Sequence, residues 1–342
     1  ERISFFTLRK SRNALGKITV PGYFCKTRQR YVGVDIGSHT INIVELSRST
    51  GPFQLEAYAV EPLPATLMDD QTSAEPKSVA QVLLKALSAA SVSAREAVVA
   101  LPDTHVICKH LEVDAGLSDD ELELYVRLEA EQYIPYALDE AALDFDVLGP
   151  SPNNSEQLHV LLVTCRQQTL AWYEAVLSQA GLKARVVAVQ AHALARAIEG
   201  ATPLVAEAQL PATVAVIDVA GHTTLLSVVH QGQVLYAREL LFGADTREEG
   251  AFNPGALEQV KRGLEQYAES VVAPAVQSLW LAGAIGARSG LSAWFEARLG
   301  LPVHVANPFS QMTISPLVTP QALRCDAPML LTACGLALRG FD

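Results

Sequence analysis

VDIGSHTINIVEL, residues 34–46, is nearly repeated further along the chain as IDVAGHTTLLSVV, residues 217–229. Aligning the two stretches on Asp35 and Asp218 also places His39 over His222. Each copy has β-branched runs on both sides of a short turn, which is the pattern of a strand, a tight turn and a returning strand. The sequence therefore predicts two equivalent β-hairpins, each opening a lobe of similar size.

The turn of each hairpin contains residue types that suit an anion. Gly37 and Gly221 allow the backbone to fold tightly, so that successive N–H groups point at one phosphate. Asp35 and Asp218 would orient water molecules on a magnesium ion beside that phosphate. The nearby hydroxyl groups belong to Ser38, Thr40, Thr223 and Thr224. The alternative is a duplicated hairpin kept for folding alone.

Two histidines, His39 and His222, occupy equivalent places in the two turns. A histidine titrates near neutral pH and is therefore a candidate acid or base. In a hairpin turn, however, a histidine more often has a structural role. No residue is assigned to catalysis.

Size and composition describe a globular protein of two lobes. The chain has 342 residues, of which 49% are hydrophobic and 18% are charged. Its five cysteines are scattered without Cys-x-x-Cys spacing, which favours a reducing cytoplasm and no structural zinc. No apolar run is long enough to span a bilayer.

The charge is unevenly distributed. The net charge is -11, yet residues 1–30 carry eight Lys or Arg and only one acidic residue, Glu1. This basic arm, with its interspersed aromatic residues, suits an anionic membrane surface or an acidic partner. A flexible tail is the alternative. The arm lacks the apolar core of a signal peptide, and the acidic remainder argues against nucleic acid as a partner.

Residues 105–180 predict a small α+β module inserted into the first lobe, with the order strand, helix, strand, strand, helix. A capping box from Ser118 to Glu121 marks the start of its first helix. We therefore divide the chain into the arm at 1–30, a first lobe at 31–104, the module at 105–180 and a second lobe at 181–342. The second lobe includes a linking helix and a C-terminal helix.

Several stretches carry a resemblance to a known family: EAYAVEPLPA (56–65), EVDAGLSDDELE (112–123), QYIPYALDEAALDFDV (132–147), YARELLFG (236–243), VANPFSQM (305–312) and DAPMLLTACGLALRGFD (326–342). Together with the paired hairpins, they resemble the PilM family of type IV pilus assembly proteins, in the FtsA-like branch of the actin-like ATPases. The resemblance implies an α/β, actin-like (ribonuclease-H-like) duplicated fold with an inserted FtsA-type α+β subdomain.

The resemblance also implies partners and a location. It implies a cytoplasmic adaptor at the inner face of the bacterial inner membrane, peripherally associated with it. Its partners would be the N-terminal cytoplasmic peptide of a PilN-type membrane protein and components of the pilus motor or platform. The peptide would lie between the module and the first lobe. The stretch LHVLLVTC, residues 158–165, would offer it an exposed strand edge.

The chain departs from the family in its second lobe. The family usually has a capping subdomain after YARELLFG, whereas here only DTREEGAFNPG (245–255) precedes the next helix. In the turn that would hold adenosine, Gly283 and Gly286 flank Ala284, which replaces a glycine. An alanine forced to positive φ there would cost about 1–2 kcal/mol. ATP and magnesium are the cofactors that the resemblance implies. The shortened cap predicts weak nucleotide binding or none, and therefore at most weak ATPase activity.

Two alternative functions follow from the same resemblance. One is a degenerate actin-fold ATPase or sugar kinase, which would need an intact adenosine lobe and a catalytic aspartate. The other is an FtsA-like, membrane-associated filament, which would need both faces through which lobes stack. The shortened cap argues against both alternatives.

Overall fold

The computed structural model describes residues 29–64, 67, 74–151, 154, 156–201, 213–244, 254–270 and 273–342. The strands are β1 (Gln29–Ile36), β2 (Thr40–Arg48), β3 (Gln54–Pro62), β4 (Glu96–Leu101), β5 (Val106–Asp114), β6 (Ala141–Pro150), β7 (Gln157–Arg166), β8 (Lys183–Val189), β9 (Thr213–Val219), β10 (Thr224–His230), β11 (Gln233–Leu240), β12 (Ser278–Gly283), β13 (Val303–Val305) and β14 (Thr313–Ile314). The helices are α1 (Pro76–Ala89), α2 (Asp119–Ala130), α3 (Gln167–Gln179), α4 (Gln190–Ala201), α5 (Pro254–Ala268), α6 (Leu291–Leu299), α7 (Pro320–Asp326) and α8 (Leu331–Arg339).

Two large sheets share one topology. In the first, β1, β2 and β3 form an antiparallel meander, and β4 and β8 continue the sheet parallel to β1. In the second, β9, β10 and β11 form the meander, and β12 and β13 continue parallel to β9. The first sheet has one further edge strand, β14. The hairpin repeat in the sequence is therefore the start of a duplicated sheet.

The inserted module has the predicted element order, but its sheet differs from the prediction in one respect. The strand order is β5-β7-β6, so β7, which contains LHVLLVTC, is the central strand. Both of its sides are paired, and it offers no free edge to a peptide. The edges of this sheet belong to β5 and β6. The expectation of an exposed edge on β7 is wrong because β5 and β6 both pair with it.

Helix α2 begins with the predicted capping box. The Ser118 side chain accepts a hydrogen bond from the Glu121 backbone N–H, and the Glu121 carboxylate accepts one from the Ser118 backbone N–H. The helix ends at Ala130. Its inner face, Leu122, Val126 and Ala130, is buried against one side of the module sheet.

The packing divides the chain differently from the sequence-based boundaries. Helix α3, predicted as part of the module, contributes Trp172 and Tyr173 to the core of the first sheet. Strand β8, predicted as part of the second lobe, pairs with β4 in the first sheet. Helix α8 packs against the first sheet as well as against α4. The division into lobes otherwise stays a prediction.

The basic arm through residue 28 and the segment 245–253 lie outside the described residues. Among the residues that are described, no helix combines the length and the apolar character needed to cross a bilayer.

Helix α8 approaches strand β1 so closely that Gly33 leaves no room for a side chain. A Cβ atom at Gly33 would lie 1.9 Å from the Ala333 carbonyl oxygen and 2.6 Å from the Ala337 backbone nitrogen. We expect Gly33→Ala to lower the free energy of unfolding by about 3 kcal/mol, because backbone atoms of α8 must move. Urea denaturation followed by circular dichroism measures the change.

The matched control is Gly200→Ala, where the nearest atom to the new Cβ is Leu338 Cδ1 at 3.3 Å. Gly200 lies in α4, so alanine should change stability by at most about 1 kcal/mol, because the gain in helix propensity is set against a small shift of the Leu338 side chain. Equal destabilisation by the two substitutions would contradict the close approach of α8.

Candidate functional site

The two predicted turns have the same internal hydrogen bond. In the first, the Gly37 N–H donates to the Thr40 carbonyl at 2.9 Å, and in the second, the Ala220 N–H donates to the Thr223 carbonyl at 2.9 Å. These two donors are therefore satisfied within their own turns. The repeat extends from the sequence to the geometry of the turn itself.

The structure brings the two turns into direct contact. The His39 ring lies against Gly221, where an added Cβ would be 1.7 Å from His39 Nδ1. The rings of His39 and His222 meet edge to face, with their centroids 4.3 Å apart. Ser38 Oγ also lies 2.9 Å from His39 Nδ1. The two turns are therefore joined by side-chain contacts of His39.

Beside the turns lies a cleft of about 280 Å³, formed where the two large sheets meet. Of the sequence-predicted site residues, those that line it are Asp35, Gly37, Ser38, Asp218, His222 and Thr223. Those that do not line it are His39, Thr40, Gly221, Thr224, Gly283, Ala284 and Gly286. The predicted set is therefore only partly assembled around one cavity.

Thr224 shows why a hydroxyl in the right stretch need not face a ligand. Its side chain is fully buried, and its hydroxyl donates to the Phe242 carbonyl at 2.8 Å. The first residue of a returning strand points to one side of the sheet or the other according to register. Register at this position directs Thr224 away from the cleft, so the expectation that it contacts phosphate is corrected.

Four carboxylates surround the cleft: Asp35, Asp103, Asp218 and Glu239. No Lys or Arg is found among the described residues that line it. A phosphate would enter this space against several negative charges unless a cation came with it. Asp35 and Asp218 are the residues that would orient water on a magnesium ion there.

Asp35 and Asp218 are poorly solvated. Burial raises the pKa of Asp35 to about 6, although Asn42 Nδ2 donates to its Oδ2 at 3.2 Å. Burial raises the pKa of Asp218 to about 7, and the negative charge of Asp35 adds to this effect. Thr332 Oγ1 donates to Asp218 Oδ2 at 3.4 Å. Ionising both carboxyl groups near neutral pH therefore opposes folding.

Sequence reasoning missed Asp103 and Glu239. Asp103 follows β4, and its Oδ2 accepts a hydrogen bond from the Ala191 N–H at the start of α4, at 3.1 Å. Burial raises the pKa of Asp103 to about 6. Ligands of open parallel sheets bind beyond the carboxyl ends of the strands, and that rule could have identified this residue. Glu239 lies in a meander strand and had no comparable signal.

The turn predicted to hold adenosine is built without strain at Ala284. Gly283 has a φ of +77°, and a Cβ there would lie 2.2 Å from the Val219 carbonyl oxygen. Ala284 is absent from the described non-glycine residues with positive φ, and its N–H donates to the Val219 carbonyl at 2.9 Å. The cost expected for alanine therefore does not arise, because Gly283 supplies the left-handed residue.

A second cavity, about 480 Å³, lies between the module and the rest of the chain, and we call it the module groove. It is lined by His110, Asp146, Leu148, His159 and Leu161 of the module sheet, Ala188 and Val189 of β8, His192, Ala193, Arg196 and Glu199 of α4, Gly232, Gln233, Val234 and Leu235 at the turn into β11, and Arg339 of α8. One groove thus borders the module, the first sheet and the second sheet.

One face of the module sheet forms a wall of this groove. Leu161 pairs with His110 on one side and with Asp146 on the other, so the three side chains form a row on one face. Residues that alternate with Leu161, such as Leu162, are buried on the opposite side with α2. The groove therefore faces the sheet's surface rather than its edge.

Two histidines of the groove have lowered pKa values, and both of its arginines are paired. Burial and the neighbouring His110 and Arg339 lower the pKa of His192 to about 4. Burial and His159, whose ring stacks at 4.7 Å, lower the pKa of His110. Asp342 pairs with Arg339 at 2.8 Å and also with Arg196. The groove combines an apolar wall with two imidazoles of lowered pKa, two paired arginines and the carboxyl groups of Asp146 and Glu199.

The raised pKa of Asp218 predicts a pH-dependent stability. Between about pH 4 and pH 7 the folded state holds a proton on Asp218 that the unfolded state has released, so the contribution of Asp218 to stability falls as pH rises through this range. Asp218→Asn removes the ionisation. We expect the variant to be more stable than wild type by about 1–3 kcal/mol at pH 8 and equal to it near pH 4.

Denaturant unfolding at several pH values measures this difference, with the exposed Glu265→Gln as the matched control. The control should run parallel to wild type at every pH. If Asp218→Asn also ran parallel to wild type, the buried carboxylate pair would have no effect on folding.

Comparison with known proteins identifies relatives. A family model described as type IV pilus assembly protein PilM matches residues 33–254 and 250–341. The PilM–PilN type IV pilus biogenesis complex is similar in structure, with 26% sequence identity and a TM-score of 0.77, covering 91% of this chain and 98% of that chain.

Two further solved structures have lower scores. A Bacteroides thetaiotaomicron protein with an actin-like ATPase fold is 12% identical with a TM-score of 0.46, covering 86% of this chain and 95% of that chain. The cytoplasmic domain of EpsL, an inner membrane component of the type II secretion system of Vibrio cholerae, is 14% identical with a TM-score of 0.44, covering 88% and 98%.

The family match extends over most of the chain, from residue 33 to residue 341. It confirms the family and the actin-like fold that were predicted from the hairpins and the quoted motifs. The chain belongs to the PilM family of type IV pilus assembly proteins.

Proposed function

We propose that this chain is a cytoplasmic adaptor at the inner face of the inner membrane and that its module groove binds the N-terminal peptide of a PilN-type membrane protein. The observation that carries the proposal is the groove itself, a cavity with an apolar wall between the module and the main body. Similarity to a protein solved in a PilM–PilN complex supports the choice of partner. Components of the pilus motor or platform are the further partners we expect.

The mode of recognition follows from the sheet. Strand β7 is paired on both sides, so a peptide in this groove lies across the face of the module sheet instead of extending it. The apolar wall, which includes Leu148, Leu161 and Leu235, would bury apolar peptide side chains. The imidazoles of His110 and His159 can donate and accept hydrogen bonds with the peptide backbone.

The groove also depends on the second sheet. Val234 and Leu235 of β11 line it together with module residues such as Leu148. A bound peptide would therefore touch the module and both large sheets. Its binding would restrain the movement of the module relative to the main body.

Substituting the groove's exposed leucines tests the proposal. Leu148 is 36% exposed and Leu235 is 42% exposed, so replacing either should not unfold the chain. We expect Leu148→Glu and Leu235→Glu each to weaken binding of the PilN-type N-terminal peptide at least about tenfold, because each places a charge against apolar peptide side chains. Calorimetric titration with the synthetic peptide measures the dissociation constant.

Leu84→Glu is the matched control, because Leu84 is 41% exposed and lies on α1, away from the groove. It should bind the peptide as wild type does. Wild-type affinity in both groove variants would place the peptide elsewhere, and no binding to the wild-type chain at high micromolar concentration would overturn the adaptor function.

We infer that nucleotide binding is weak or absent. The His39 ring fills the space against Gly221, and the carboxylates around the cleft oppose a phosphate. Only nine residues, 245–253, separate Ala244 from the start of helix α5 at Pro254, which supports a shortened cap over the adenosine side. ATP bound in this cleft would come with a magnesium ion that helps to bind its phosphates. Asp35 and Asp218 would be ligands of that ion through water.

Titration of the chain with ATP and magnesium tests this inference. We expect a dissociation constant of about 1 mM or weaker, since each lost charged or phosphate hydrogen bond costs about 1.5–3 kcal/mol. Asp218→Ala should leave this result unchanged. Micromolar binding that Asp218→Ala abolishes would show instead that the turns separate and hold phosphate.

A further inference from the structure

The outer face of helix α2 exposes apolar side chains that the fold does not use. Leu124 is 60% exposed and Leu128 is 57% exposed, and neighbouring Tyr125 is 39% exposed. The inner face of the same helix already supplies the module core through Leu122 and Val126. Leucines one turn apart on a solvent-facing surface are typical of an interaction site.

Carboxylates surround these leucines. Asp120 and Glu121 lie one turn before Leu124, and Glu131 lies one turn after Leu128, so helical spacing places all of them on the same side of α2. The helix and its C-cap include Asp119, Asp120, Glu121, Glu123, Glu129 and Glu131 against one basic residue, Arg127. An apolar patch with an acidic rim is complementary to a basic segment that carries apolar side chains.

The chain itself contains such a segment at residues 1–28. Its basic residues are Arg2, Arg9, Lys10, Arg12, Lys17, Lys26 and Arg28, and its apolar residues include Ile3, Phe5, Phe6 and Leu8. Its only acidic residue is Glu1. A segment of this length reaches up to about 90 Å when extended. That reach exceeds the diameter of a compact chain of this size, about 50 Å.

We propose that the basic arm, residues 1–28, docks on the outer face of α2 in the same chain. Its apolar side chains cover Leu124 and Leu128, and its Lys and Arg residues pair with the surrounding carboxylates. This docking surface is separate from the proposed peptide site, because α2 covers the side of the module sheet opposite the module groove. A peptide in the groove and the arm on α2 therefore do not compete.

This docking has a consequence for the association with an anionic membrane that the charge of the arm suggests. While the arm lies on α2, its basic residues are paired and do not reach anionic lipid. Both interactions draw on the same charges, and salt weakens both. An anionic membrane surface would then compete with α2 for the arm.

Zero-length carbodiimide cross-linking of the full chain tests the proposal. The reagent joins lysine amines to carboxylates that are in contact, and mass spectrometry identifies the joined residues. We expect Lys10 or Lys17 to be joined to Asp120, Glu121 or Glu131 within single chains. We also expect the yield to fall at least about fivefold in Leu124→Gln/Leu128→Gln, because the apolar contact is lost.

The matched control is Leu84→Gln/Leu317→Gln, which replaces two exposed leucines outside α2. Its cross-link yield should stay within about twofold of wild type. Glutamine is a good helix former, so helical content by circular dichroism should be unchanged in both variants.

Three results would overturn the proposal. The first is equal yields in the α2 variant and the control. The second is lysine cross-links that are scattered over other carboxylates or confined to pairs of chains. The third is the absence of arm cross-links together with sedimentation on phosphatidylglycerol vesicles that requires residues 1–28. That result would assign the arm to the membrane.

Discussion

Helix α8 lies within backbone contact distance of both strand β1 and helix α4, and the rest of the structure depends on this double contact. A side chain at Gly33 would strike the Ala333 carbonyl, and one at Gly335 would lie 1.7 Å from the Ala193 carbonyl oxygen. Because neither interface has room for a Cβ, α8 holds the first sheet and α4 at a set distance. The same helix supplies Thr332, whose hydroxyl donates to Asp218, and Arg339, which lines the module groove.

The cleft and the module groove differ in charge, and this difference decides which ligands each can hold. The cleft has carboxylates from both large sheets and, among its described lining residues, no Lys or Arg. The groove has an apolar wall, histidines with lowered pKa values and arginines already paired with Asp342. A phosphate is therefore disfavoured in the first cavity, whereas a largely apolar peptide loses little by entering the second.

The module places two surfaces on opposite sides of one three-stranded sheet. Alternate residues of β7 point in opposite directions, so Leu161 faces the groove while Leu162 is buried with α2. Helix α2 in turn presents its own outer face, with Leu124 and Leu128, to the solvent. The module sheet can thus bind a peptide on one face while the acidic helix α2 packs on the opposite face. The two surfaces share no residue.

The sequence by itself determined the paired hairpins, the order of elements in the module, the capping box of α2 and the family, because each is a local pattern or an order of motifs along the chain. Only the tertiary structure decided that β7 is central, that α3 joins the first core, that Asp103 and Glu239 enter the cleft, and that Thr224 leaves it. It also decided that His39 packs on Gly221. The physical reason is that the distance between two turns far apart in sequence depends on how both sheets pack against α8, and no residue within either turn encodes that distance.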